Sequence, residues 1–294
     1  MEHSRKGRRC AGLLGLAIGA AMLLAAPRAF AGPNSGSVQF SLGMDFTTAY
    51  FFRGILQERD GFIWQPYGEI NVPFYVDEGA GLSKVTFFVG NWNSIQSEKT
   101  LSRGGGSGPG NWYESDVYTG LKFSLFDTVE LKPYYYVYTY PNGAFPTVQE
   151  IDFAASLNDA KWLDKFALNP SVLMAWEFDN TALGTKEGTY AEVNIRPSYT
   201  VWDDETYPVS LALPMTVGMS VSDYYESPSG RDQGFGYYKG GLIASVPLGF
   251  VPEEYGSWAI SAGPSVYVFN SNLKNYNKGN NPWVVGTVSL TFSY

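Results

Sequence analysis

The final residues of the chain, 282–294, alternate without a break: Val284, Gly286, Val288, Leu290, Phe292 and Tyr294 fall on one side, and Thr287, Ser289, Thr291 and Ser293 on the other. Side chains of a strand point to opposite faces with period two, so this segment predicts a strand with an apolar medium on one face and a polar one on the other. Segments of this kind run over about 38–52, 62–76, 84–95, 112–126, 129–140, 147–158, 166–178, 189–202, 208–222, 235–250, 257–270 and 282–294. Each has about the length a tilted strand needs to cross a bilayer, roughly 9 to 11 residues or a little more.

The links between segments alternate too. Odd-numbered links, among them 96–111 and 223–234, include the long ones rich in Gly, Ser and Asn, whereas even-numbered links such as 127–128 and 203–207 are short. Both chain ends fall on the short side. The pattern predicts an all-β fold: a transmembrane antiparallel up-and-down barrel of about 12 strands, with short periplasmic turns and longer extracellular loops.

Charge placement sharpens this reading. The more apolar parity reads Phe40, Leu42, Met44, Phe46 in the first segment, Ile151, Phe153, Ala155, Leu157 in the sixth and Val209, Leu211, Leu213, Met215, Val217, Met219 in the ninth, with no charge on it. The other parity collects the acids Asp45, Glu69, Glu114, Asp116, Glu130, Glu150, Asp152, Glu177 and Glu192 and the bases Arg53, Lys122, Lys132, Arg196 and Lys239. A cation at the lipid-facing midplane costs about 2 to 4 kcal/mol, so these fourteen are expected to line the lumen. Tyr134, Tyr136, Tyr138 and Tyr140, with Tyr118 and Tyr190 nearby, form an inward aromatic stripe suited either to stacking rings of a solute or to filling the lumen. Aromatics near strand ends, Tyr50, Phe52, Trp64, Phe74, Phe126, Trp176, Phe250 and Trp258, fit interfacial girdles. Interior prolines (Pro66, Pro133, Pro170, Pro197, Pro214, Pro247, Pro264) delete ladder donors and predict bulges or locally open pairing.

A soluble sandwich would show the same alternation with its faces inverted. The two ends of the chain decide for the membrane. Arg5, Lys6, Arg8 and Arg9, an apolar run Ala11 to Ala26 and Ala29-Phe30-Ala31 read as a secretory signal peptide over 1–31, leaving 32–294 as one barrel domain. The terminal Phe292 and Tyr294 resemble the final-strand signal read by the barrel-assembly machinery. The cell outer membrane is the expected location and its lipid the expected surroundings.

Without residues 1–31 the chain keeps 15 Lys and Arg against 27 Asp and Glu, a net charge of −12 that excludes nucleic acid as a natural partner. The single Cys and single His, Cys10 and His3, leave with the leader, so neither a disulfide scaffold nor a His-based hydrolase fits. Glu114, Asp116, Glu150 and Asp152 leave a carboxylate-only enzyme or an oxygen-ligated divalent cation conceivable, but they read first as solvated wall charges, and no catalytic residue, metal or cofactor is assigned. The run Gly104–Gly110 lacks the Lys-Ser/Thr ending of a phosphate loop and reads as an external loop.

Thr48-Ala49-Tyr50-Phe51-Phe52-Arg53-Gly54-Ile55-Leu56-Gln57 resembles the opening strand and first loop of the TorF-type porin family. Val89-Gly90-Asn91-Trp92-Asn93-Ser94 and Tyr138-Thr139-Tyr140-Pro141-Asn142-Gly143 match later landmarks in order, and the likeness covers about 38–157. It implies an outer-membrane pore and no particular substrate; Phe52 stands where many members carry Arg or Lys. Twelve strands leave at most a narrow passage. The excess of inward acids predicts passive diffusion of small solutes or ions with weak cation preference. A structural or adhesive barrel with a plugged lumen is the alternative.

Overall fold

In the computed structural model, residues 38–294 are described except 78, 80, 99–110, 184–185 and 228. The leader 1–31 and most of the glycine-rich loop 96–111 lie outside the described residues. The described residues form one unit.

The alternating segments become a closed antiparallel barrel of twelve crossings. The strands are β1 (Gln39–Thr47), β2 (Tyr50–Phe52), β3 (Ile55–Glu58), β4 (Ile63–Val76), β5 (Leu82–Gln96), β6 (Trp112–Leu125), β7 (Val129–Thr139), β8 (Val148–Leu157) and β9 (Ser171–Asp179). They continue as β10 (Thr189–Ile195), β11 (Ser198–Trp202), β12 (Val209–Ala212), β13 (Met215–Ser222), β14 (Phe235–Gly241), β15 (Ile243–Pro247), β16 (Ser257–Phe269) and β17 (Trp283–Ser293). Three crossings are split in two, β10/β11, β12/β13 and β14/β15. Closure is made by β17, which pairs with β16 on one side and with β1 on the other. The ladder runs to the end of the chain, where Tyr294 and Phe40 exchange backbone hydrogen bonds at 2.7 and 2.8 Å.

Several of the prolines mark breaks, whereas Pro170 lies just before β9 and Pro247 ends β15 in register with Ala259. Pro197 separates β10 from β11, Pro214 separates β12 from β13, and pairing of β4 with β5 lapses between Trp64 and Tyr67, across Pro66. Opposite Pro264, Leu242 interrupts the facing strand and donates its N–H to the Pro264 carbonyl at 3.0 Å.

Register confirms the two faces. Ile151 and Trp176 pair, as do Phe153 and Met174, and all four are exposed on the outside. With Leu42, Val193 and Val288 also exposed, the outer wall is an apolar belt, as a bilayer requires and as water would penalise.

The largest differences from the sequence expectation are at two boundaries. The seventh crossing starts at Ser171 rather than 166, because 158–170 folds into a short helix α1 (Ala160–Leu163) and a 3-10 turn (Asp164–Phe166). The Asp159 carboxylate fixes that segment by accepting the N–H groups of Leu168 and Asn169 at 3.1 and 2.9 Å. The first crossing ends at Thr47 rather than 52. Residues 50–58 instead form the separate hairpin β2–β3, which folds into the barrel. Tyr50 and Phe52 are therefore not girdle residues: Tyr50 is buried against Trp92 and Tyr113, and Phe52 meets Tyr138 edge to face. Phe74, Phe126, Trp176 and Phe250 do project outward.

Candidate functional site

The inward hairpin turns at Arg53-Gly54, where both residues have positive φ, 47° and 80°. A two-residue turn of this hand suits a twisted hairpin, and it prefers Asn-Gly; Arg at its first position is backbone strain of order 1 kcal/mol. The side chain explains its presence. Arg53 Nη1 and Nη2 donate to the two Glu150 oxygens at 2.6 and 2.8 Å and to the hydroxyls of Tyr224 and Tyr138 at 3.1 and 3.3 Å. The guanidinium lies 4.5 Å from the centre of the Tyr190 ring and 4.9 Å from that of Phe52, with Asp152 Oδ2 at 3.9 Å. Such bidentate, charge-assisted pairing in a dry setting is the strong form of the ion pair.

The rest of the hairpin is held on every side. Phe51 stacks on Tyr267 and Phe269, while Tyr113 donates to Gln57. Asn277 follows the helix α2 (Ser271–Tyr276); it accepts from Leu56 N at 2.9 Å and donates to the Gly54 carbonyl at 2.8 Å. Tyr225 donates to the Arg53 carbonyl at 2.9 Å. Loop-end segments thus clamp the hairpin across the lumen.

The hairpin divides the predicted lumen residues into two layers. Arg53 comes from the hairpin and the others from the wall, and those on the wall do not share one environment. Around Arg53 lie Glu114, Asp116, Glu150, Asp152 and Glu177, each at most 2% exposed. Glu114 accepts from Tyr50 at 2.9 Å, Asp116 from Tyr136 at 3.3 Å, and Glu177 from the N–H groups of Ala182 and Gly188 at 2.7 and 2.9 Å. Towards the turn end lie Asp45, Glu69, Glu130 and Glu192 with Lys122, Lys132, Arg196 and Lys239. There Lys122 donates to Glu69 at 2.6 Å and to Asn71 at 2.8 Å, and Lys132 stands 3.8 Å from Glu69. The second layer borders open space: one cavity of about 330 Å³ touches Asp45, Arg196 and Lys239, and another of about 330 Å³ touches Asp45, Lys132 and Trp92.

The tyrosine stripe is likewise divided. Tyr118, Tyr134 and Tyr136 border the second cavity, with Tyr118 and Tyr136 stacked 5.2 Å apart. Tyr138 packs on Phe52, Tyr190 lies under Arg53 and Tyr140 packs on Tyr113, so these three belong to the closed layer. Small residues make room for the rings: Gly90 pairs with Tyr118, and a Cβ at Gly90 would collide with that ring. The sequence reading missed the hairpin. Its signal was the lapse of alternation at Tyr50-Phe51-Phe52 followed by Arg53-Gly54, a two-residue turn. Among the described residues no cluster of three or more metal-ligating side chains occurs.

Neither a protein-family model nor a curated protein matches the chain. The TorF-type resemblance therefore rests on its landmark residues alone. Among solved structures, the chain is similar to an outer membrane channel from Pseudomonas putida F1 at 11% identity, covering 92% of this chain and 99% of that one, with a TM-score of 0.45. It is similar to the NanC porin at 9% identity, covering 87% and 98%, with a TM-score of 0.43. LpxR from Salmonella typhimurium aligns at 10% identity over 86% and 99%, with a TM-score of 0.39. These are distant likenesses of overall barrel form.

Proposed function

We propose that this chain is an outer-membrane channel for passive passage of small solutes or ions, of the TorF-type porin class, held in a constricted state by the β2–β3 hairpin. The observation that carries the reading is a polar, cavity-bearing lumen at the turn end, closed at the loop end by a hairpin that is not part of the wall. A purely structural barrel has no need of a strained Arg at the tip of such an insert.

The hairpin also bears on selectivity. With it docked, the accessible layer holds four acids, Asp45, Glu69, Glu130 and Glu192, and four bases, Lys122, Lys132, Arg196 and Lys239, which favour neither ion sign. With it withdrawn, Glu114, Asp116, Glu150, Asp152 and Glu177 join the lumen, and five additional negative charges raise the local cation concentration. Cation preference is thus a property of the open channel. No catalytic role is assigned to these carboxylates, whose environment is ion pairing and tyrosine hydroxyls. The barrel-assembly machinery is the expected partner through Phe292 and Tyr294.

Reconstitution of residues 32–294 in a planar bilayer tests the reading. Small, discrete and nearly unselective current steps are expected. A folded barrel that never conducts, at any voltage, turns the account to the plugged structural or adhesive alternative.

A further inference from the structure

The layer around Arg53 is under-neutralised. Five carboxylates are buried there, and among the described residues Arg53 is the only cationic side chain paired with any of them. Asp116 Oδ1 and Asp152 Oδ1 are buried without a hydrogen-bond partner. Unpaired buried carboxyl oxygens are costly, so this layer is short of hydrogen-bond donors.

The manner in which Arg53 is held shows which cation fits. A carboxylate fork meets one edge of the planar group, two tyrosine hydroxyls accept from its N–H groups, and the rings of Tyr190 and Phe52 lie within cation–π distance of it. Fork and aromatic rings together match a guanidinium, whose flat, weakly hydrated group offers five donors in a fixed plane. They match a compact ammonium or a hydrated metal ion less well. Phe52 travels with the hairpin, but Glu150, Tyr138 and Tyr190 stand on the wall and Tyr224 just past the end of β13, so the carboxylate fork, the two hydroxyls and one ring remain when Arg53 withdraws.

We infer that this cage is a binding site for solutes bearing a guanidinium group, with Arg53 as its resident occupant, and that such solutes compete with Arg53 in the lumen. The inference rests on the channel reading for its consequence, because a competitor that displaces Arg53 favours the withdrawn hairpin.

The test uses Arg53→Ala, which empties the cage, in the full barrel in nanodiscs, titrated with guanidinium chloride at low millimolar concentration. Intrinsic tyrosine and tryptophan fluorescence of the nanodisc sample reads binding, and single-channel current of the same variants in a planar bilayer reads passage. The expected result is saturable binding at least about tenfold tighter than to the Arg53→Ala/Glu150→Gln double variant, and tighter by a similar factor than tetramethylammonium, which lacks N–H donors. A linear response, or equal binding by the double variant, overturns the inference. If Arg53→Ala does not fold, Arg53→Gln is read by the same criteria. Binding without any current defeats the channel reading and leaves the cage standing, whereas current without saturable binding defeats the cage alone.

Discussion

The substitution Glu150→Gln removes one charge from the centre of the structure and tests what keeps the hairpin docked. Glu150 is 0% exposed and takes both Arg53 nitrogens at 2.6 and 2.8 Å. Breaking a buried pair by removing one partner costs about 3 to 5 kcal/mol, because the remaining charge stays in the dry layer. Asp152, at 3.9 Å from Arg53 Nη2, takes over part of the pairing and moves the expectation to the lower end. About 3 kcal/mol corresponds to roughly a hundredfold change in the equilibrium for hairpin release. Hydrogen exchange of the backbone amides in 50–58 reads that equilibrium directly. Protection is expected to fall by about that factor in Glu150→Gln, while Glu130→Gln, in the other layer, leaves it unchanged. Protection within about threefold of wild type in Glu150→Gln would mean that aromatic packing of Phe51 and Phe52, and not the ion pair, secures the hairpin.

Three further outcomes are expected. Gly90→Val should displace the Tyr118 ring and lower stability by about 1 to 3 kcal/mol, read as an earlier unfolding transition in detergent. Phe153→Arg puts a cation on the lipid face and should cost about 2 to 4 kcal/mol relative to Phe153→Leu in urea unfolding from vesicles, if the outer wall meets hydrocarbon. In the turn between β11 and β12 the Asp204 carboxylate accepts the N–H groups of Thr206 and Tyr207, which hold its pKa below the ordinary aspartate range. Its contribution is therefore present above the unfolded-state pKa and lost as pH falls through the lower folded-state value; an NMR titration of Asp204 should show that depressed midpoint, and Asp204→Asn should abolish the titration without altering the barrel.

Much of the wall was legible because a membrane barrel repeats one rule: period two, apolar outward, charge inward. Ile151, Phe153 and Met174 against Glu150, Asp152 and Ala175 obey it, and the prolines at 197 and 214 flagged real interruptions. The hairpin obeys a different rule. Tyr50, Phe51 and Phe52 pack on opposite sides inside a crowded lumen, so all three are apolar in succession, and a pattern built for one lipid face and one water face assigns them to the strand before. Likewise Asp159 organises 158–170 through backbone N–H groups ten residues away, a contact that no periodicity announces. For the charged residues other than Arg53, parity gave the side of the wall they occupy; their separation into a buried layer and a solvated layer depends on where the hairpin comes to rest.

Single-channel recording in a salt gradient, on a barrel whose residues 50–58 are replaced by a short Gly-Ser link, decides whether the β2–β3 hairpin closes the proposed channel. Larger steps than wild type and a reversal potential displaced towards the cation equilibrium are expected. Steps of wild-type size, or a displacement towards the anion equilibrium, would contradict that closure.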